Sequence, residues 1–186
     1  RSRQVIADVG TFNVADVVRF SPITTGEVTE GSFHWYFDGS DVGLQGGREQ
    51  IDALEALPDG RLLISTTGTA AVPNGGNVVR AQDEDLLAFT PTTLGETTAG
   101  SWALYLDGTA IPGLARKDVS GAAVDSANGD IYITIDGNYR VGGVRGNGKD
   151  ILLLHPVGDG YSVARYWHGP DDGFRPNIGG LEIGGD

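Results

Sequence analysis

Cysteine and methionine are both absent from the 186 residues, so neither disulfides nor thiolate chemistry contributes to this protein. Positive charge is scarce. Lys and Arg number 13 against 25 Asp and Glu, a net charge of −12; nothing offsets phosphate repulsion, which makes nucleic acid and anionic membrane surfaces poor partners, and cations and cationic surfaces better ones. No apolar run approaches the ~18 residues that a spanning helix needs, and no charged-then-apolar leader follows Arg1-Ser2-Arg3, the pattern expected of a soluble, already processed chain. Apolar spacing at i, i+3, i+4 and i+7 is sustained nowhere, so almost no helix is expected. The missing Cys and Met, with abundant Gly, Thr and Asp, fit a secreted, extracellular bacterial protein.

What is present is repetition. Asp16-Val17-Val18-Arg19-Phe20-Ser21-Pro22 returns as Asp85-Leu86-Leu87-Ala88-Phe89-Thr90-Pro91, and then as Asp150-Ile151-Leu152-Leu153-Leu154-His155-Pro156, at steps of 69 and 65 residues. Ser32-Phe33 with Tyr36-Phe37-Asp38-Gly39 keeps the same step to Ser101-Trp102 with Tyr105-Leu106-Asp107-Gly108, and in weaker form to Ser162-Val163 with Tyr166-Trp167-His168-Gly169. A unit of this size built of short strands cannot bury its own apolar faces and must stack on its copies. The 30 glycines and 8 prolines, without a strict period and between dense apolar runs, indicate turns rather than disorder.

Within the second unit, residues 51–57 form an apolar-rich run, Pro58-Asp59-Gly60 turns the chain and residues 61–66 return, a hairpin pattern. A long loop is expected over residues 67–84, then strands at 86–89 and 101–106. The third unit repeats that order at 119–124, 131–134, 151–154 and 161–167. The third strands are apolar on consecutive positions, as in Leu86-Leu87 and Ile151-Leu152-Leu153-Leu154, which implies burial on both faces. Four-stranded sheets covered on both sides by neighbouring copies predict a β-propeller. Small residues at Ala53, Gly121 and Gly180 in the first strands suit innermost strands crowded around an axis.

The stretch from Val119-Ser120-Gly121 through Asp125-Ser126-Ala127-Asn128-Gly129-Asp130-Ile131-Tyr132-Ile133 to Asp136-Gly137-Asn138-Tyr139-Arg140-Val141 resembles the NHL-type propeller blade, with its D-x-(D/N)-G turn, its N-I-Y-V-like strand and its D-x-G-N-x-R-(I/V) ending. Asp59-Gly60-Arg61-Leu62-Leu63-Ile64 looks like a divergent copy of the same turn and strand. The resemblance implies a propeller fold. These units are longer than that family's through their loops, and the family's functions, from protein contact to RNA binding and lyase activity, do not transfer.

The expected architecture is therefore one all-β domain over residues 1–186, a β-propeller with about three four-stranded blades per chain. The first blade covers 3–39 and is closed by 177–184, the second covers 50–108 and the third 118–169. In this reading residues 4–10 match the second strand at 62–68, and residues 178–183 match the first strand at 51–56. One blade is then split between the two ends. Because a ring takes roughly 4–8 blades, the expected partner is the chain itself, either as a homodimer closing a six-bladed ring or as an open fibre by strand complementation; the remaining option is that the chain is a fragment of a longer protein. Val5, Ile6, Ile178, Leu181 and Ile183 would be buried in that assembly.

Candidate chemistry is sparse. Asp16, Asp85 and Asp150 share one register before the third strand; they are either a Ca2+ site in each blade or caps accepting a backbone N–H. Glu55 and Glu182 align in the innermost strand with Asp52 nearby, where carboxylates around a channel would share protons or capture a cation. His34, His155 and His168 show no zinc spacing, and no G-x-S-x-G supports serine hydrolysis. Residues 143–149 imitate a phosphate loop, but Asp150 stands where Ser or Thr belongs. Trp35, Trp102, Trp167, Tyr36, Tyr105 and Tyr166 share a register that favours packing over sugar stacking. The function expected is a non-catalytic secreted scaffold that binds and assembles by strand exchange. The alternatives are a Ca2+-dependent hydrolase or lactonase with its metal in the channel, and a lectin-like carbohydrate binder of a cell-surface component.

Overall fold

The computed structural model describes residues 4–182, and they are all-β, with nothing helical beyond short 3-10 turns. Strands β1 (Gln4–Ile6) and β2 (Gly10–Phe12) form a hairpin, and β3 (Val17–Thr24) with β4 (Glu30–Phe37) forms a two-stranded sheet. The next sheet has four antiparallel strands in chain order: β5 (Ile51–Ala56), β6 (Leu62–Thr66), β9 (Leu86–Thr93) and β10 (Ala99–Leu106). Between β6 and β9 sits the hairpin β7 (Ala70–Asn74) and β8 (Asn77–Ala81). The last sheet has the same order: β11 (Val119–Asp125), β12 (Asp130–Ile135), β15 (Asp150–Val157) and β16 (Gly160–His168). It too carries a hairpin between its second and third strands, β13 (Tyr139–Val141) and β14 (Val144–Gly146).

Consecutive apolar residues in the middle sheet follow from burial on both faces. Along β6 and β9 the side chains alternate between two cores: Leu63, Leu86 and Ala88 join the last sheet's Ala122, Ile131, Ile133, Leu152 and Leu154. Leu62, Ile64, Leu87 and Phe89 instead join Phe37, Val42, Leu44 and Trp102 on the side of the first sheet. The sheets are therefore stacked face to face, with the middle one between the others. A strand so placed gains from apolar residues at every position, whereas β10 on the outer edge is mostly exposed and reads as mixed.

The turns form as the sequence predicts. Leu57 and Arg61 close the β5–β6 turn, with the Leu57 N–H donating to Arg61 at 2.8 Å, and Gly129 donates to Asp125 at 2.8 Å between β11 and β12. The loop expected at 67–84 instead holds the β7–β8 hairpin. Its turn, Gly75-Gly76, joins two short runs, of which Ala70 and Val72 in β7 and Ala81 in β8 reach the core.

Both ends depart from expectation. Residues 4–10 do not act as a second strand beside β3; they fold back as β1–β2, with Val9 N–H donating to Ile6 at 3.1 Å. Resemblance to 62–68 was a matter of an apolar run followed by glycine, and the hairpin before Asp16 takes the place in chain order that β7–β8 and β13–β14 hold before Asp85 and Asp150. At the other end, residues 178–182 do not join β3 and β4 within the chain. They lie along β11, where Ser120 and Thr134 hydroxyls both donate to the Ile178 carbonyl at 3.2 Å. Ile183 lies outside the described residues.

One backbone hydrogen bond recurs at every sheet boundary: Ile51 N–H to Val14 O at 3.1 Å, Val119 to Asp83 at 2.8 Å and Ile178 to Gly148 at 2.8 Å. Each acceptor stands two residues before the register aspartate. Ile178 thus makes the backbone bond that Ile51 makes at the start of β5 and Val119 at the start of β11, although residues 177–182 form no strand ladder.

Candidate functional site: an acidic seam and a free strand edge

The three register aspartates lie in three different sheets and do not converge. Asp16 accepts from Asn13 N–H at 2.7 Å and Gly39 N–H at 3.1 Å, and Asp85 from Gln82 and Gly108, both at 2.8 Å. Each carboxylate ties the approach to the third strand to the turn after the fourth. The glycine is required there, because a Cβ on Gly39 or Gly108 would strike the carbonyl of Ala15 or Glu84. Burial, with the charges of Asp38 and Asp41, raises the Asp16 pKa against its backbone hydrogen bonds.

Asp150 is built differently. Its Oδ2 accepts from Asn147 N–H at 3.1 Å and from the Tyr139 hydroxyl at 2.8 Å, and its Oδ1 faces His168 Nδ1 at 2.5 Å, with Arg165 Nε 3.9 Å away. Burial alone would raise this carboxyl's pKa; His168 and Tyr139 outweigh it and hold the group below its ordinary range. His168 therefore replaces the glycine N–H as the second donor, and Gly169 donates to the Lys149 carbonyl instead at 3.1 Å. The histidine is a structural partner of a buried carboxylate.

A second group of acids lines the seam where β5 packs against β11. Asp52 occupies a bulge in β5, between the paired residues Ile51 and Ala53. Its carboxyl lies in hydrogen-bonding contact with that of Asp118, the residue before β11. Burial first, then Asp118, pushes the Asp52 pKa up to about 8. Burial also raises the Asp118 pKa, and the charges of Asp83 and Asp136 add to it. Glu84, only 1% exposed, is raised by burial and by contact with the Asp83 carboxyl. Glu55 and Glu182 lie near enough for each other's charge to count: burial and then Glu182 raise the Glu55 pKa, against a hydrogen bond from Val124 N–H. Among the described residues, no three acid or histidine side chains converge as metal ligands would.

Most of the remaining candidates make contacts within the fold, whereas Tyr166 is 61% exposed, its ring 4.7 Å from that of Tyr132. Trp102 is 2% exposed, donates Nε1–H to Val42 O at 3.0 Å and packs with Phe37 and Phe89. Trp35 does the same to Val9 at 3.1 Å. His155 pairs with Asp130 at 2.6 Å and His34 with Ser32 at 2.9 Å. Residues 143–149 carry no phosphate cradle, since the run passes into β14 rather than a helix. An open cleft of about 430 Å³ is lined by the acids Asp16, Asp38 and Glu96 together with neutral residues such as Asn13 and Trp35.

The other unusual feature is an edge. β9 pairs with β6 through Leu87, Ala88 and Phe89, and β15 pairs with β12 through Leu152, Leu153 and Leu154. The same distance after Asp16 brings Val18, Arg19 and Phe20, and among the described residues β3 pairs only with β4. Phe20 is half-buried against Phe33, 4.9 Å away, whereas Phe89 and Leu154 are fully buried. Of the residues expected to be buried on assembly, Val5 is 73% exposed, Ile6 is half-buried in the β1–β2 hairpin, and Ile178 and Leu181 are half-buried beside the last sheet.

Comparison with protein-family models, with curated proteins and with solved structures found no match.

Proposed function

We propose that this protein is a non-catalytic binding scaffold of the β-propeller type, secreted, in which the stacked sheets are successive blades and copies associate by completing a blade across the boundary between them. The observation that carries the reading is the open edge of β3 at Val18, Arg19 and Phe20, in the register where β9 and β15 each hold a further strand. Unpaired N–H and C=O groups along such an edge are a template for an added strand, and the half-buried Phe20 and Phe33 give that strand an apolar face to cover. The segment at 178–182, laid along β11, supplies the first strand of a next blade. A copy placed beyond it would bring β3 and β4 as the outer pair, with an extended segment of the β6 type between.

Two measurements test this on the intact chain. Analytical ultracentrifugation should show mass rising with concentration in the micromolar range, and a synthetic peptide of residues 59–67 should bind and slow amide exchange at Val18–Phe20, while a proline-interrupted version does neither. A monomer at all concentrations whose β3 amides exchange freely with and without the peptide would end the proposal.

A further inference from the structure

We infer that one proton shared between Asp52 and Asp118 clasps the middle sheet to the last one, so that the seam between β5 and β11 loosens as pH rises. The geometry leaves few other options. Both oxygens of Asp52 and Oδ1 of Asp118 are shut off from solvent and make no well-formed hydrogen bond; the backbone N–H groups of Asp52 and Ala53 lie near enough only to moderate the rise, and the side chain that the Asp52 carboxyl meets is that of Asp118. Two ionised carboxylates cannot hydrogen-bond each other; one proton between them satisfies one oxygen of each, and the second Asp52 oxygen is left to the nearby backbone N–H groups of Asp52 and Ala53.

Apart from the backbone N–H groups of Asp52 and Ala53, which oppose the rise without reversing it, the described surroundings offer no rival donor. From the loop before β9 the facing groups are Asp83 and Glu84, and from the end of β12 it is Asp136, all acidic. Lys117, next to Asp118, turns its ammonium to the Asn138 carbonyl at 2.9 Å. Arg116 gives Glu84 its backbone N–H. The Ser65 hydroxyl, at 3.5 Å, points to the Asp83 carbonyl. A metal would need a convergence of ligands that the described residues do not provide.

The chain contains its own comparison. Asn177 precedes Ile178 as Asp118 precedes Val119, and its Nδ2 donates to Asp136 at 3.0 Å. There an amide makes an ordinary hydrogen bond to a carboxylate; at Asp118, where an acid faces an acid, the proton must come from solution. The Asp52 carboxyl titrates at about 8 in the fold against an ordinary 3.8. A raised pKa means the folded protein holds the proton more tightly, so the stabilisation is complete below the unfolded value and is lost as pH rises towards about 8.

The test is a pH series of thermal melts, from acid to pH ~9, on the full chain and on Asp118→Asn and Asp52→Asn, each with Ca2+ and with a chelator. The natural chain should lose several degrees across the series, and Asp118→Asn, whose amide donates at every pH, should lose distinctly less. Infrared spectra should show a protonated-carboxyl band at neutral pH that both variants lack. An unchanged slope in Asp118→Asn, or no such band in the natural chain, overturns the inference. So does a Ca2+-dependent rise in melting temperature that Asp52→Asn abolishes, because the clasp would then be a cation. If Asp118→Asn fails to fold, the slope of Asp52→Asn and the infrared band decide the matter alone.

Discussion

Asp85 reaches across 23 residues to hold the backbone N–H of Gly108 at 2.8 Å, while its other oxygen holds Gln82 N–H at the same distance. One carboxylate thus locks the start of β9 to the end of β10, and both donors would be orphaned without it. Removing the acceptor of a buried donor costs about 1–3 kcal/mol per group. Asp85→Ala should destabilise the fold by about 2–3 kcal/mol in urea unfolding. Asp85→Asn, which keeps one acceptor oxygen, should cost distinctly less. Equal losses would show that the charge, not the acceptor geometry, is what the site uses.

The contact between the first and middle sheets is concentrated in three rings. Phe37 stands edge-on to Phe89 at 5.3 Å and to Trp102 at 6.2 Å, and Phe89 lies 4.7 Å from Trp102. All three are at most 2% exposed. Truncating such a ring costs about 3–5 kcal/mol through lost burial and the remaining cavity. Phe89→Ala should therefore come near to unfolding the chain, and Phe20→Ala, at the matching but half-buried place in β3, should cost far less. Denaturant midpoints of the two variants measure the difference.

The strand order of the two complete sheets is legible from sequence because it rests on local facts: turn residues such as Pro58-Asp59-Gly60 and an apolar run too dense for a one-faced strand. The capping role of Asp85 is legible for the same reason, since the Gln82 donor is three residues away. The β1–β2 hairpin is not. An apolar run followed by glycine, as at 4–10, fits a sheet strand and a hairpin arm equally well, and only the missing partner for β3 separates them. Asn74-Gly75-Gly76-Asn77 is a hairpin turn pattern that marks β7–β8. Asp52 and Asp118, 66 residues apart, are brought together by sheet stacking, so no spacing rule reveals them.

The Asp150 network predicts acid sensitivity of the opposite sign to the Asp52 pair. Its pKa is held below the ordinary 3.8 once His168 and Tyr139 have outweighed burial. A depressed folded pKa contributes stability that is present above the unfolded value and is lost as pH falls through the folded one. Tyr139→Phe removes one donor, so the acid-unfolding midpoint should move to higher pH while stability at pH ~5 drops by about 1–2 kcal/mol. Circular dichroism along an acid titration checks both. An unmoved midpoint would mean that the Tyr139 hydroxyl does not govern the charge on Asp150.

Gly121 is the residue on which the placement of the chain's last segment depends. A Cβ there would sit 2.7 Å from Thr134 Oγ1, closer than real Cβ atoms come, and 3.0 Å from the backbone N of Gly180, tight enough that the segment at 178–182 would have to give way. The matching position in β5 is Ala53, which is 2% exposed. The inner strand therefore admits a methyl between β5 and β11 but not between β11 and the segment at 178–182. Gly121→Val should displace that segment and break the bond from Ile178 N–H to Gly148 and both hydroxyl bonds to the Ile178 carbonyl. Amide exchange at Ile178 should then rise to the rate of free chain while β15 and β16 keep their protection. If copies associate as proposed, the same substitution should weaken self-association in ultracentrifugation, because the segment that the proposal makes the first strand of a next blade is no longer held in place. A Gly121→Val protein with Ile178 still protected would show that the segment is anchored elsewhere.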